Sequence, residues 1–202
     1  MRGKFITFEG VDGAGKSTHV EWFANELRAA GRAVLVTREP GGSPLAEKLR
    51  ELVLHDAMDP VTETLLMYAA RADHLKKRVL PALQSGTWVV CDRFSDATLA
   101  YQGGGKGVDG GLMTALGNAV HPGLQADCTL VFDCPFEVSR ERMDRSGRAL
   151  DRFEREGQGF FERVRAAYLG IASAAPQRVR VIDSTQALEA IRAELRTILG
   201  AL

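Results

Sequence analysis

The 202-residue chain is short of several residue types, and each shortage removes a class of protein. It has three cysteines, Cys91, Cys128 and Cys134, an odd number without metal-ligand spacing. That excludes a disulfide scaffold and a zinc module, and it predicts buried thiols in a reduced, cytoplasmic protein. No apolar run is long enough to span a bilayer, and the N-terminus lacks the pattern of a signal peptide. Net charge is missing too: 26 Lys and Arg balance 26 Asp and Glu. A general nucleic-acid or membrane-surface binder would carry a basic excess. The four histidines, His19, His55, His74 and His121, are scattered, and none has metal-ligand spacing. No Ser-His-Asp or Cys-His arrangement offers a catalytic nucleophile. There is no internal repeat, low-complexity tract or linker, so one domain over residues 1–202 is expected.

Against these absences stands one dense motif. Gly10-Val11-Asp12-Gly13-Ala14-Gly15-Lys16-Ser17-Thr18 fits G-x-x-x-x-G-K-[ST], the phosphate-binding P-loop. The β-prone Phe5-Ile6-Thr7-Phe8 precedes it, and a helical stretch from His19 to Ala30 follows, the order the motif requires. Its glycines let backbone N–H groups approach a polyphosphate, and a helix starting near Lys16 turns its positive end to the same anion. Lys16 can reach the β- and γ-phosphates, and the Ser17 hydroxyl can ligate Mg²⁺. A nucleoside triphosphate site is the expectation.

Strands and helices alternate along the chain. Further strands are predicted at Ala33–Val36, Thr87–Cys91, Cys128–Phe132 and Arg178–Ile182. Helices are predicted from Pro44, capped by Ser43, to about Leu54, then over Val61–Gln84, Gly111–Val120 and Pro135–Asp144. A stretch from Asp92 to Gly107 starts helical and ends in Gly103-Gly104-Gly105. A long helix is expected from about Asp151, with Phe153, Phe160, Phe161, Val164, Tyr168 and Ile171 as core packing. A last helix is striped by Leu188, Ile191, Leu195 and Leu199. Apolar strands covered on both faces imply an α/β fold with a five-stranded parallel sheet.

Ligands of such sheets bind beyond the carboxyl ends of the strands. Those ends hold Arg38-Glu39, Asp92-Arg93 and Asp133. Asp92 occupies the position of the second acidic residue that P-loop proteins use at Mg²⁺, directly or through water; the alternative is a helix cap. Arg38 and Arg93 facing one crevice suggest a second, phosphorylated ligand, because a guanidinium holds phosphate oxygens bidentately. Six arginines, Arg140, Arg142, Arg145, Arg148, Arg152 and Arg155, are interleaved with acids around Ser146-Gly147. That pattern reads as a flexible lid over roughly 144–151, closing one or two arginines over a transferring phosphoryl group.

Together these segments resemble the thymidylate kinase family, bacterial type, over nearly the whole chain. The carriers are Phe8–Thr18, Thr37-Arg38-Glu39-Pro40-Gly41-Gly42, Asp92-Arg93-Phe94, Ala100-Tyr101-Gln102-Gly103-Gly104-Gly105 and Asp151-Arg152-Phe153-Glu154, in that order. The resemblance implies a P-loop nucleoside monophosphate kinase fold, a homodimer, and transfer of the γ-phosphoryl of ATP to dTMP. It also distributes roles. Asp12 would orient the acceptor sugar and the Mg²⁺ water network, while Arg38 and Arg93 would hold the acceptor phosphate. Arg71 and Gln102 would read thymine from two sides, Tyr101 would pack under the sugar, and Pro40 and Thr98 would lie near the base. Lys16, Arg93, Arg148 and Arg152 would serve the transfer, with Arg140 on the ATP side.

The chain departs from the family pattern at Met67, where many members carry a stacking phenylalanine, and at Ala97, a common serine. The P-loop also lacks the arginine some members place at position 13 or 14, which shifts that charge to the lid. Arg145 is a third lid candidate beside Arg148 and Arg152. Two other readings stay open: a kinase for a different nucleoside monophosphate or nucleoside, and a P-loop switch protein. The chain has no Asn-Lys-x-Asp guanine motif, which counts against the switch.

Overall fold

The structure, a computed structural model, describes residues 2–147 and 149–202. Five strands form one parallel sheet: β1 Phe5–Glu9, β2 Val34–Arg38, β3 Trp88–Asp92, β4 Cys128–Asp133 and β5 Val179–Asp183, in the order β2-β3-β1-β4-β5. β1 is central, and all five of its residues are buried. Each strand reaches one or two residues further than its apolar run and ends on a charge. The extension matters, because register sets Arg38 beside Asp92 and Phe8 beside Asp92. Arg38 and Asp92 therefore stand level at one edge of the sheet with Glu9 one residue further on, while Asp133 and Asp183 are level with each other beyond them.

The helices are α1 Lys16–Ala29, α2 Pro44–His55, α3 Pro60–His74, α4 Leu80–Gln84, α5 Ser95–Thr98, α6 Gly110–Val120, α7 Phe136–Arg145, α8 Gln158–Ala174 and α9 Leu188–Gly200. Phe8 packs between Phe23 of α1 and Phe132 of β4, which fastens the P-loop strand to its helix and its neighbour. Among the described residues no helix is long and apolar enough to cross a membrane.

The expected elements differ from the observed ones in four places. The helix expected over Val61–Gln84 is α3 and α4 joined by a π-helical stretch, Leu75–Val79. A second π-helical stretch, Leu99–Gly105, follows α5. A side chain on Gly104 would press into Ala167 of α8, so that glycine lets the two segments touch. Ser43 precedes α2, but its hydroxyl donates to Asp73 at 2.5 Å instead of capping. The helix expected from Asp151 begins at Gln158. Asp151 and Glu154 do form a capping box: the Asp151 carboxylate accepts from the N–H of Phe153 and Glu154, and Glu154 accepts from the N–H of Asp151. Only a single turn follows before Gly157, so Phe153 is buried from a turn, not from the helix.

Candidate active site

The P-loop bends sharply at Gly10, whose φ is +124°. A side chain there would collide with the Phe132 carbonyl, so only glycine fits between β1 and β4. Ser139 of α7 pins the loop from outside by donating to the Asp12 carbonyl at 2.7 Å. Lys16 opens α1 and folds back, donating to the carbonyls of Gly10 at 3.0 Å and Val11 at 2.8 Å. Burial, and then the charge of Arg93, bring its ammonium pKa down to about 8.

Arg93 follows β3 with φ +70°, a left-handed conformation rare for a side-chain-bearing residue. Its guanidinium is held on both prongs. Nη1 donates to the Gly10 carbonyl at 3.0 Å and to the Tyr168 hydroxyl at 3.2 Å. Nη2 donates to Asp12 Oδ1 at 2.6 Å and to the Tyr101 hydroxyl at 3.0 Å, and the group lies over the Tyr101 ring. Burial alone would raise the Asp12 pKa, but Arg93, Lys16 and the Tyr101 hydrogen bond outweigh it and hold that carboxyl below its usual value.

A cavity of about 790 Å³ opens at this sheet edge. Asp12 through Thr18, Arg38, Asp92 and Arg93 line it, so the P-loop and the strand-end charges share one space. A narrower recess of about 70 Å³ continues from it, lined by Pro40, Met67, Arg71, Thr98 and Tyr101 among others. Asp12, Arg93 and Arg50 border both spaces. At the recess wall the buried Arg71 donates from Nε to Glu39 and from Nη2 to Thr98 and the Phe94 carbonyl. Its buried Nη1 has no protein partner. Met67 packs against the core at the recess, the place the resemblance reserves for a flat ring.

Several expected site residues are placed elsewhere. Gln102 is fully buried and donates to Glu63 at 2.8 Å, outside the recess lining. Arg152 lies over the Phe153 ring and donates to Glu63 and to the Val53 carbonyl, away from the phosphate cavity. Arg140 pairs with Asp144 at 3.2 Å, and Arg145 pairs with Glu141 on the surface. Arg148 lies outside the described residues. Gly10 contributes its carbonyl, and Val11 lies in the core behind the loop.

The structure brings in residues that sequence reasoning did not single out. Arg142 lines the cavity and donates to the Ser184 carbonyl at 2.7 Å. Ser139, Arg142, Met143 and Ser146 recur at helical spacing, a face that could have singled out Arg142. Arg50 donates to the Pro40 carbonyl at 2.9 Å and carries no comparable signal. Glu39 was visible in the strand-end segment, but its partner Arg71 lies 32 residues away.

A P-loop facing strand-end arginines across one crevice, on an all-parallel sheet, defines a P-loop nucleotide kinase. The thymidylate kinase family model matches residues 8–195. The thymidylate kinase of Bordetella pertussis is 57% identical over 194 residues, covering 96% of this chain and 93% of that protein. That of Cupriavidus metallidurans is 54% identical and covers 100% of both. The crystal structure of thymidylate kinase from Ehrlichia chaffeensis matches with a TM-score of 0.80 at 32% identity, over 99% of each chain. The chain belongs to the thymidylate kinase family, whose fold is that of the P-loop nucleoside monophosphate kinases.

Proposed function

We propose that the crevice seats ATP and dTMP head to head and passes the γ-phosphoryl group between them, yielding dTDP for dTTP synthesis. One observation carries this reading. Lys16 and Arg93 approach the Gly10 carbonyl together, each at 3.0 Å, so the donor-side and acceptor-side cations meet across a single oxygen. The larger cavity takes the ATP phosphates on the P-loop amides. The recess takes thymidine, with the Arg71 Nη1 edge turned to the base and Tyr101 under the sugar. Arg38 and Arg93 hold the acceptor phosphate between the two.

The acceptor phosphate, with a second pKa of about 6, is already a nucleophile at neutral pH, so no general base is required. The residues align two anions and stabilise the charge that passes between them. Mg²⁺ fits the oxygens available. Asp92 lines the cavity beside Ser17, and its buried Oδ1 has no partner within the protein. Among the described residues no three His, Cys, Asp or Glu side chains cluster as a metal cage. Mg²⁺ commonly takes one or two protein oxygens and completes its shell with phosphates and water. When bound it would neutralise phosphate charge, held by Ser17 and Asp92.

The same reading makes the protein a cytoplasmic homodimer. Val61 and Leu65 on α3 are about half exposed and supply apolar surface for a partner. Cys91, Cys128 and Cys134 are free thiols, as a reducing compartment allows.

The test is a coupled assay with ATP and dTMP, dUMP, dGMP or thymidine as acceptor, run with the structure of a ternary complex. dTMP should have the highest kcat/KM, and its phosphate should lie on Arg93. A better acceptor among the others, or ATP turnover indifferent to acceptor, would sink the assignment.

A further inference from the structure

Tyr168 reads from the sequence as one more aromatic in the core stripe of α8, and its ring does pack there, edge-on to Tyr101. A phenylalanine would fill that space equally well. The hydroxyl has a different set of partners. It accepts from Arg93 Nη1 at 3.2 Å and donates to Glu9 Oε2 at 2.9 Å. The other Glu9 oxygen, Oε1, accepts the N–H of Phe94 at 2.7 Å. Glu9 is fully buried and Tyr168 is 1% exposed, and neither lines the cavity or the recess.

Both oxygens of one buried carboxyl are thus committed to the mount of one arginine. The Phe94 N–H belongs to the residue after Arg93, where the chain leaves its left-handed turn. The Tyr168 hydroxyl meets the guanidinium itself. The Arg93 N–H already bonds the Phe8 carbonyl at 2.9 Å. The two Glu9 contacts extend that hold to the next residue and, through Tyr168, to the guanidinium, so the base and the head of Arg93 are tied to one carboxyl. Glu9 also directly precedes Gly10, whose carbonyl carries both Arg93 and Lys16.

We propose that Glu9 and Tyr168 are positioning residues that hold Arg93 in the geometry required for the acceptor phosphate. The proposal rests on the reading of Arg93 as the acceptor-phosphate ligand. Neither residue touches a nucleotide. A charged side chain loses rotamer freedom when it binds, and a guanidinium already fixed on four partners has little left to lose.

A double-mutant cycle tests this. The dissociation constants of dTMP and of ATP are measured by calorimetry on the wild type, Tyr168→Phe, Arg93→Ala and the double variant. Tyr168→Phe should weaken dTMP about tenfold, the weight of one hydrogen bond to a charged group, and change ATP less than twofold. In the Arg93→Ala background the same substitution should change dTMP less than twofold, because the hydroxyl then has no guanidinium to place. Equal weakening of both nucleotides, no weakening of dTMP, or an undiminished effect without Arg93 overturns the proposal. If Arg93→Ala itself leaves dTMP binding intact, the reading of Arg93 falls first and the proposal with it.

A crystal structure of the wild-type dTMP complex supplies a check that requires no variant to fold. Tyr168 Oη must stay within hydrogen-bonding distance of an Arg93 guanidinium that touches the phosphate. A separation beyond about 4 Å, where no hydrogen bond survives, overturns it.

Discussion

Arg71 donates from Nε to Glu39 Oε2 at 2.7 Å, and both side chains are buried, only 3% and 4% exposed. The other Glu39 oxygen bonds His74 Nδ1 at 2.9 Å, and His74 Nε2 meets the Thr37 hydroxyl at 2.7 Å. Burial opposes ionisation of Glu39, but Arg71 and His74 overcome it and hold the carboxyl below its usual pKa. An ionised carboxylate only accepts, so His74 carries its proton on Nδ1. The chain fixes the Arg71 guanidinium plane at the recess wall with one N–H edge free. Glu39→Ala should therefore cost about 3–5 kcal/mol in chemical denaturation, the cost of leaving a buried charge unpaired. It should also raise the dTMP KM more than the ATP KM in steady-state assays. A variant with wild-type stability and wild-type dTMP kinetics would remove Glu39 from this role.

Lys16→Ala should lower kcat by about a hundredfold to a thousandfold, the usual loss when one preorganised charge donor is removed. Folding should survive, because the ammonium rests on two carbonyls at the cavity wall and packs no core. Single-turnover transfer from labelled ATP is the measurement. Near-normal turnover would mean that the triphosphate does not sit on this loop.

The strands, the P-loop and the strand-end charges were legible in the sequence because each depends on neighbours within a few residues. Phe5–Phe8 is apolar but for Thr7, whose buried hydroxyl pairs with that of Thr129, and it lacks the polar alternation of a half-exposed strand, as a central parallel strand should. The fates of Gln102 and Arg152 were not legible. Both are drawn to Glu63, a buried carboxylate that also accepts from Lys106 at 2.7 Å, and those partners lie 39 to 89 residues away. A polar side chain next to a motif reads as a site residue until its long-range partner is known. Tyr168 shows the converse: its ring obeys the helical stripe, while its hydroxyl answers to Arg93 and Glu9, 75 and 159 residues distant.

Glu9 makes stability depend on pH. Burial, and then the nearby Asp96 carboxylate, push its pKa from 4.5 to about 8, against Arg93 and two hydrogen bonds. The folded state thus binds the Glu9 proton more tightly than the unfolded state. Its contribution is full below pH about 4.5 and is lost as pH rises through about 8. Glu9→Gln cannot titrate, so its unfolding free energy should fall less steeply than the wild type's across that window. Urea denaturation at a series of pH values checks the slope; parallel curves for the two proteins would show that Glu9 is ionised throughout.

Arg142 and Arg140 lie two residues apart on α7, and the geometry separates them. Arg142 Nη2 donates to the Ser184 carbonyl at 2.7 Å, and its other prong reaches toward the Gly13 and Ala14 carbonyls at 3.5 and 3.3 Å. It thereby ties the P-loop to the turn after β5 and borders the cavity beside Gln186 and Leu188. A cavity-lining guanidinium is suited to stacking on a purine ring, a contact that arginine favours. Arg140 instead makes an exposed pair with Asp144, the kind of contact worth at most about 1 kcal/mol. Arg142→Ala should raise the ATP KM by about tenfold, one hydrogen-bonded charge contact's worth, and leave the dTMP KM within about twofold. Arg140→Ala should leave both constants within about twofold. Steady-state titration of each nucleotide at saturation of the other decides between them. An ATP defect in Arg140→Ala with none in Arg142→Ala would reverse the assignment and restore Arg140 to the donor site.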